Sequence, residues 1–213
     1  AKEDGLTNVY PSLSGFTQPL PFDRDALDVI DADIRSVFGN DLNKVITPDD
    51  VRGTNESLEA GILDGGWPTI GESRGKVFFG LDNGGAIRDE YVADHPALDG
   101  RVLFTSSDPG TPEAAFLKLN TPAESIAAYV TQGYIVRTRA DADTEAARTG
   151  YTGPRDLALS SGAQFVSTDY YVADARHDTS DGWTDYTVAL PDNMIARENP
   201  ISGTGKFTGQ EIE

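Results

Sequence analysis

The sequence predicts an α/β protein whose parallel strands are covered by helices. Short, unbroken apolar segments (Val77-Phe78-Phe79, Val102-Leu103-Phe104, Tyr134-Ile135-Val136 and 163–166) alternate with helix-like stretches. That rhythm is the mark of βαβ units buried on both sheet faces. Polar residues then follow each strand at its C-terminal end: Asp82-Asn83, Ser106-Ser107, Arg137 with Arg139, and Ser167 with Asp169. Catalytic residues gather at that end in a (β/α) barrel, and ligand crevices open there in a doubly wound sheet.

Taken in order, the chain opens with Ala1–Asp4 and a long entry loop, so that 1–23 holds Pro11, Pro19 and Pro21. Asp23 can cap a helix over 24–38, with Leu27, Ile30, Ile34, Val37 and Phe38 on one face, and Gly39-Asn40 ends it. Val45-Ile46 is a short apolar piece. Thr47-Pro48 opens a helix with proline at its first position. A further helix is expected over 55–63, then Trp67-Pro68-Thr69 and a Gly-rich turn. Strand 76–81 precedes a helix over 87–93, and strand 102–104 precedes a loop with Pro109 and Pro112. Thr121-Pro122 opens a helix over 123–131, which Gly133 separates from the arginine strand. Helical pieces at 144–148 and 155–161 lead to the last strand, and 172–213 reads as an acidic C-terminal extension.

Composition narrows the function. The chain has 213 residues, 38% hydrophobic, with 17 Lys plus Arg against 35 Asp plus Glu and a net charge of −18. The length suits one large domain or two small ones. Such acidity argues against nucleic acid and against general attraction to anionic membranes. No cysteine is present, so no disulfide, thiolate zinc site or cysteine nucleophile can form. No apolar run approaches the ~20 residues of a membrane span, and Ala-Lys-Glu-Asp at the start is not a signal peptide.

The segment Tyr134-Ile-Val-Arg-Thr-Arg-Ala-Asp141 carries the sharpest chemistry. Residues two apart on a strand point the same way, so Arg137 and Arg139 converge on one spot. Planar guanidiniums suit a phosphate or carboxylate. Equally, both could pair with Asp141, Asp143 and Glu145 nearby, and the two readings stay open. Asp141-Ala-Asp143-Thr-Glu145 resembles the start of a calcium loop, but Ala146 and Thr152 stand where an EF-hand needs Gly and Glu. An acid-rich helix N-terminus fits it better. Asp174, Asp178, Asp181 and Asp185 around Trp183 read as a solvated acidic loop. Trp67, Tyr170, Tyr171 and Trp183 read as packing aromatics, with a lipid- or sugar-facing rim as the alternative.

Four segments in order carry a resemblance: Lys76-Val-Phe-Phe-Gly-Leu-Asp-Asn83, Arg101-Val-Leu-Phe-Thr-Ser-Ser107, Tyr134-Ile-Val-Arg-Thr-Arg-Ala-Asp-Ala-Asp143 and Ser161-Gly-Ala-Gln-Phe-Val-Ser-Thr-Asp-Tyr170. They resemble the C-terminal half of the bacterial calcium-dependent phosphatidylinositol-specific phospholipase C family, and 16–38, 46–53 and 66–69 fit its middle region. The resemblance implies strands four or five to eight of a TIM-type (β/α)₈ barrel, a single-domain fragment of a phosphodiesterase. In that family two histidines act as base and acid, and Ca²⁺ binds the phosphate and the inositol 2-hydroxyl, which attacks phosphorus.

The same resemblance gives Arg137 and Arg139 the inositol head group, with Asp82, Ser106, Ser107, Asp169 and Tyr170 lining the mouth. It implies an extracellular or periplasmic bacterial protein acting on a phosphoinositide-type lipid or small molecule.

The departures define this chain. Ala1–Asp4 matches the tail of the family's fourth strand, so both histidines and most Ca²⁺ ligands are expected upstream of Ala1, with no catalytic residue here. His95 and His177 follow no strand and read as surface residues. Arg197-Glu198-Asn199-Pro200 stands where the family has Arg-Cys-Asn-Pro. Half a barrel leaves open edges, so the N-terminal half is expected as a second chain or a missing segment, and this chain is expected to be inactive alone. Two alternatives remain: a glycerophosphodiester phosphodiesterase-like enzyme, on the Thr168-Asp169-Tyr170 ending, and a non-catalytic binding or structural fragment.

Overall fold

A computed structural model describes residues 20–206 except Ile195. Most of the entry loop, the four-residue start and the end of the C-terminal extension therefore lie outside the described residues. The chain divides into two compact units, Ala1–Phe116 and Leu117–Glu213. Both are mixed α/β with parallel strands, as the sequence predicts.

The first unit begins with α1, Arg24–Phe38, whose N-cap Asp23 accepts a hydrogen bond from the Ala26 N–H. Short helices follow: α2 (Pro48–Arg52), α3 (Leu58–Leu63), α4 (Ile70–Ser73) and α5 (Gly85–Val92). The strands are β1 (Phe79–Leu81) and β2 (Leu103–Thr105), parallel, with Phe79 opposite Leu103 and Leu81 opposite Thr105. Single parallel bridges join Val45 to Val77 and Ser106 to Phe116. Phe104 is the central ring, 5.1 Å from Trp67 and 5.8 Å from Phe78 between centroids. Gly66 is required where it stands, because a Cβ there would lie 2.3 Å from the Val51 carbonyl oxygen.

A buried polar network ties α1 to the sheet. Arg101, 3% exposed, reaches Asp28 and Asp31 through Nη1 and donates from Nε to the Tyr91 carbonyl at 2.9 Å. Its guanidinium lies 4.3 Å over the Tyr91 ring. The Tyr91 hydroxyl donates to Asp31 at 2.6 Å and accepts from the Leu103 N–H at 2.9 Å. Burial, with Asp31 beside it, pushes the Tyr91 phenol far above its ordinary pKa, so it stays a donor. The Arg101 hydrogen bond holds Asp28 below the usual carboxylate range. Helix α1, helix α5 and strand β2 thus share one charge cluster, and the partners compensate one another's desolvation.

The second unit carries a three-stranded sheet in the order β3 (Phe116–Lys118), β4 (Ile135–Arg139), β5 (Phe165–Ser167). Helices α6 (Ile126–Gln132) and α8 (Gly153–Ser160) pack on β4, and α7 (Glu145–Thr149) lies between them in sequence. Gly133, at φ 99°, closes α6 in the left-handed region that a side chain avoids. Its N–H bonds back into the helix, and the chain turns directly into β4. Gln164 extends the β4–β5 ladder: its Oε1 accepts from the Val136 N–H at 2.8 Å, and its Nε2 donates to the Tyr134 carbonyl at 3.2 Å. A second core joins Ala147, Tyr170, Trp183 and Tyr186.

Three local expectations are corrected. Strand β3 forms where the sequence suggested only a proline-bearing loop, because Phe116-Leu117-Lys118 is too short and ends in a charge. The helix expected from 55 starts at Leu58, since the Ser57 side chain supplies its cap. The Gly-rich turn contains α4, opened by a reciprocal Thr69–Glu72 capping box.

Arg101→Met would leave Asp31 buried without its cation. The expected loss is about 3–5 kcal/mol in urea unfolding; a loss well under 1 kcal/mol would show that the cluster does not hold the first unit together.

Candidate functional site

In β4 the burial alternates: Val136 and Thr138 are buried, while Ile135, Arg137 and Arg139 are partly exposed. The buried side faces the helices, where the Tyr134 ring meets Tyr129 of α6 edge-on at 5.9 Å. Arg137 and Arg139 therefore emerge together on the opposite side. The parallel register sets Arg137 beside Phe165 and Arg139 beside Ser167. Phe165 is 46% exposed, so an apolar ring flanks the cations.

Both guanidiniums lead to one residue. Arg137 Nη1 donates to the Asn120 carboxamide oxygen, and Arg139 Nε donates to the Asn120 backbone carbonyl at 3.4 Å. The Leu119 N–H bonds to the Arg137 carbonyl at 2.9 Å, which draws the segment after β3 alongside β4. Among the described residues no carboxylate pairs with either guanidinium. The neighbouring acids are engaged otherwise. Asp141, 8% exposed, accepts from the Thr168 hydroxyl and from the Asp169 N–H at 3.1 Å. It clamps the end of β5. Of the two readings open in the sequence, local neutralisation by Asp141 is the one this geometry does not support.

The other sequence-derived positions fall as follows. Asp169 is exposed at the tip of β5. Tyr170 is buried, packs on Tyr186 at 5.8 Å and donates its hydroxyl to the Asp143 carbonyl at 2.9 Å. Burial raises the pKa of Tyr170, and it raises that of Tyr186 to about 12. In the first unit, Asp82 follows β1 and is partly buried, and Ser106 accepts from Arg88 through its carbonyl at 3.4 Å. Ser107 is buried and shares a 2.9 Å hydrogen bond with the Thr105 hydroxyl. Each histidine is tied locally: His95 Nδ1 lies 2.7 Å from the Asp99 carbonyl oxygen, and His177 Nδ1 lies 2.8 Å from that of Asp174.

Asn120 is the residue that sequence reasoning missed. The apolar run 114–119 ahead of it was the available signal, interrupted only by Lys118.

The acidic loop is solvated at Asp178, Asp181 and Asp185, yet Trp183 within it is packed. Arg176 lies 3.7 Å and Arg148 4.5 Å from the Trp183 ring centroid. Asp174 grips Arg176 in a fork, at 2.7 Å to Nε and 2.8 Å to Nη2. Among the described residues no group of three His, Asp or Glu side chains converges as a metal site. With Asp141 and Asp174 already committed, they offer no ligand set for the expected calcium. A cavity of about 340 Å³, lined by Val166, Thr168 and Arg197 among others, lies on the other side of β5 from Arg137.

A family model described as phosphoinositide phospholipase C, Ca²⁺-dependent, matches residues 3–200. A solved structure of a Ca²⁺-dependent phosphatidylinositol-specific phospholipase C enzyme from Streptomyces antibioticus is similar to 67% of this chain, with 20% identity and a TM-score of 0.48. The match spans 57% of that enzyme's chain. No curated protein matches.

Hydrogen bonds from Arg176 depress the Asp174 pKa to about 2, below the ~3.9 of a free aspartate. The stabilisation is therefore present above that ordinary value and lost as pH falls through about 2. A carboxyl-carbon NMR titration should place the midpoint there, and Arg176→Gln should return it toward the ordinary range. An unmoved midpoint in the variant would refute the assignment.

Proposed function

The chain belongs to the calcium-dependent phosphoinositide phospholipase C family, and on that premise we propose that it is the substrate-binding half of a phosphodiesterase. One observation carries the reading: two guanidiniums leave the same face of β4, and among the described residues their hydrogen-bond partner is the uncharged Asn120. A phosphodiester presents two non-bridging oxygens that accept from such donors. When a neighbouring hydroxyl attacks phosphorus, negative charge grows on those oxygens, and fixed cations stabilise it more than the ground state. Asp169, exposed beside this pair in sequence register, is proposed to accept from the hydroxyls of an inositol ring. Asp82, Ser106, Ser107 and Tyr170 are proposed on family grounds alone.

This half supplies binding and charge stabilisation, not proton transfer. A general base must reach the attacking hydroxyl directly or through one water, and His95 and His177 lie in turns away from strand ends. The histidine pair and the calcium ligands would come from an N-terminal half of the barrel, as a second chain or a further segment. Calcium there would bind phosphate and the inositol 2-hydroxyl. The proposed setting is extracellular or periplasmic in a bacterium. No helix among the described residues is long and apolar enough to cross a membrane.

Titration calorimetry with myo-inositol 1-phosphate tests the anchor. Arg137→Gln and Arg139→Gln should each weaken binding about 10- to 100-fold, the range of a hydrogen bond to a charged group. Unchanged affinity in both would overturn the assignment. Phosphorus NMR with phosphatidylinositol vesicles and Ca²⁺ tests the division of labour. No cyclic inositol phosphate is expected from this chain alone, and turnover by the purified chain would show that it carries its own acid and base.

A further inference from the structure

We propose that Asn120 is the positioning residue of the arginine pair, holding both guanidiniums in place without cancelling their charge. The proposal rests on the phosphate-binding reading of Arg137 and Arg139 and goes beyond it, to what keeps that site ready. Three observations carry it. Asn120 uses two different oxygens, the carboxamide for Arg137 and the backbone carbonyl for Arg139. The Leu119–Arg137 backbone bond fixes its place beside β4. Asn120 itself is exposed, so its bonds to the arginines are not a by-product of core packing.

The chemistry of the acceptor is the point. Asn and Asp present an oxygen at the same reach, but only Asn leaves the site with its full positive charge. A carboxylate at this position would ion-pair with Arg137 and compete with the incoming anion. Two other arginines of the chain do have carboxylate partners: Asp28 and Asp31 hold Arg101, and Asp174 holds Arg176. At the proposed anion site it uses a neutral amide instead. Pre-ordering a long side chain also removes part of the entropy otherwise lost when ligand arrives.

The test measures inorganic phosphate binding to the whole chain at low salt, by calorimetry, in the parent and in Asn120→Ala, Asn120→Asp, Asn120→Gln and Arg137→Gln/Arg139→Gln. Asn120→Ala should weaken phosphate about 2- to 10-fold, the cost of ordering one freed side chain. Asn120→Asp should weaken it at least about 10-fold, since a hydrogen bond to a charged group is of that size. Asn120→Gln, which keeps a neutral acceptor, should recover most of the affinity. Thermal midpoints should stay with the parent, so that folding does not account for the losses. The neutral-versus-charged order is the readout that a purely structural role would not produce.

If the arginine double variant loses phosphate while the Asn120 variants bind like the parent, the positioning role fails and the anchor stands. If the double variant binds like the parent, or the parent does not bind phosphate, both readings fall. Equal losses in Asn120→Ala and Asn120→Asp would refute charge preservation as the reason for an amide.

Discussion

Strand β4 has to bury Val136 and Thr138 against helices, and a strand's period of two then sends Arg137 and Arg139 out on the other side. Nearly every property of the second unit follows from that constraint. Gly133 sets where the strand starts, Gln164 extends the ladder by lending a side-chain amide to it, and Asp141 clamps the turn after β5. A register shift of one residue would bury the guanidiniums and expose the apolar face.

Four of the arginines differ in their electrostatic surroundings. Arg101 is desolvated, so it is matched by two aspartates, a carbonyl and the face of a tyrosine. Its Nη2 still has no hydrogen-bond partner among the described residues; the other contacts must offset that cost. Arg176 is exposed and sits over the Trp183 ring while Asp174 grips its edge. Arg137 and Arg139 have neither kind of partner among the described residues. Among the described residues, both are held by oxygens of the uncharged Asn120.

The first unit and the second unit contribute differently to this reading. In the first, the polar strand ends are largely absorbed by the fold: Ser107 bonds Thr105, and the Ser106 carbonyl takes Arg88. In the second, the strand-end arginines each place one donor on Asn120 among the described residues. Each histidine has its ring nitrogen Nδ1 against a carbonyl within its own turn.

Sequence alone determined the periodic part of this protein. Helix α1 came out at its exact bounds because Asp23, the 3.6-residue apolar spacing and Gly39 are all local signals. The pairing of Arg137 with Arg139 on one face was equally legible, being a consequence of strand geometry. Tertiary structure alone decided what those arginines meet. Asp141, four residues from Arg137, looked like its natural partner in the sequence, yet it turns to Thr168 and Asp169, and Asn120, seventeen residues away, takes its place. Strand β3, which brings Asn120 there, is three residues long and has little signal of its own; it exists because β4 offers it a ladder. Local order is written in spacing, whereas the choice of partner is a competition among distant groups that only the packed chain resolves.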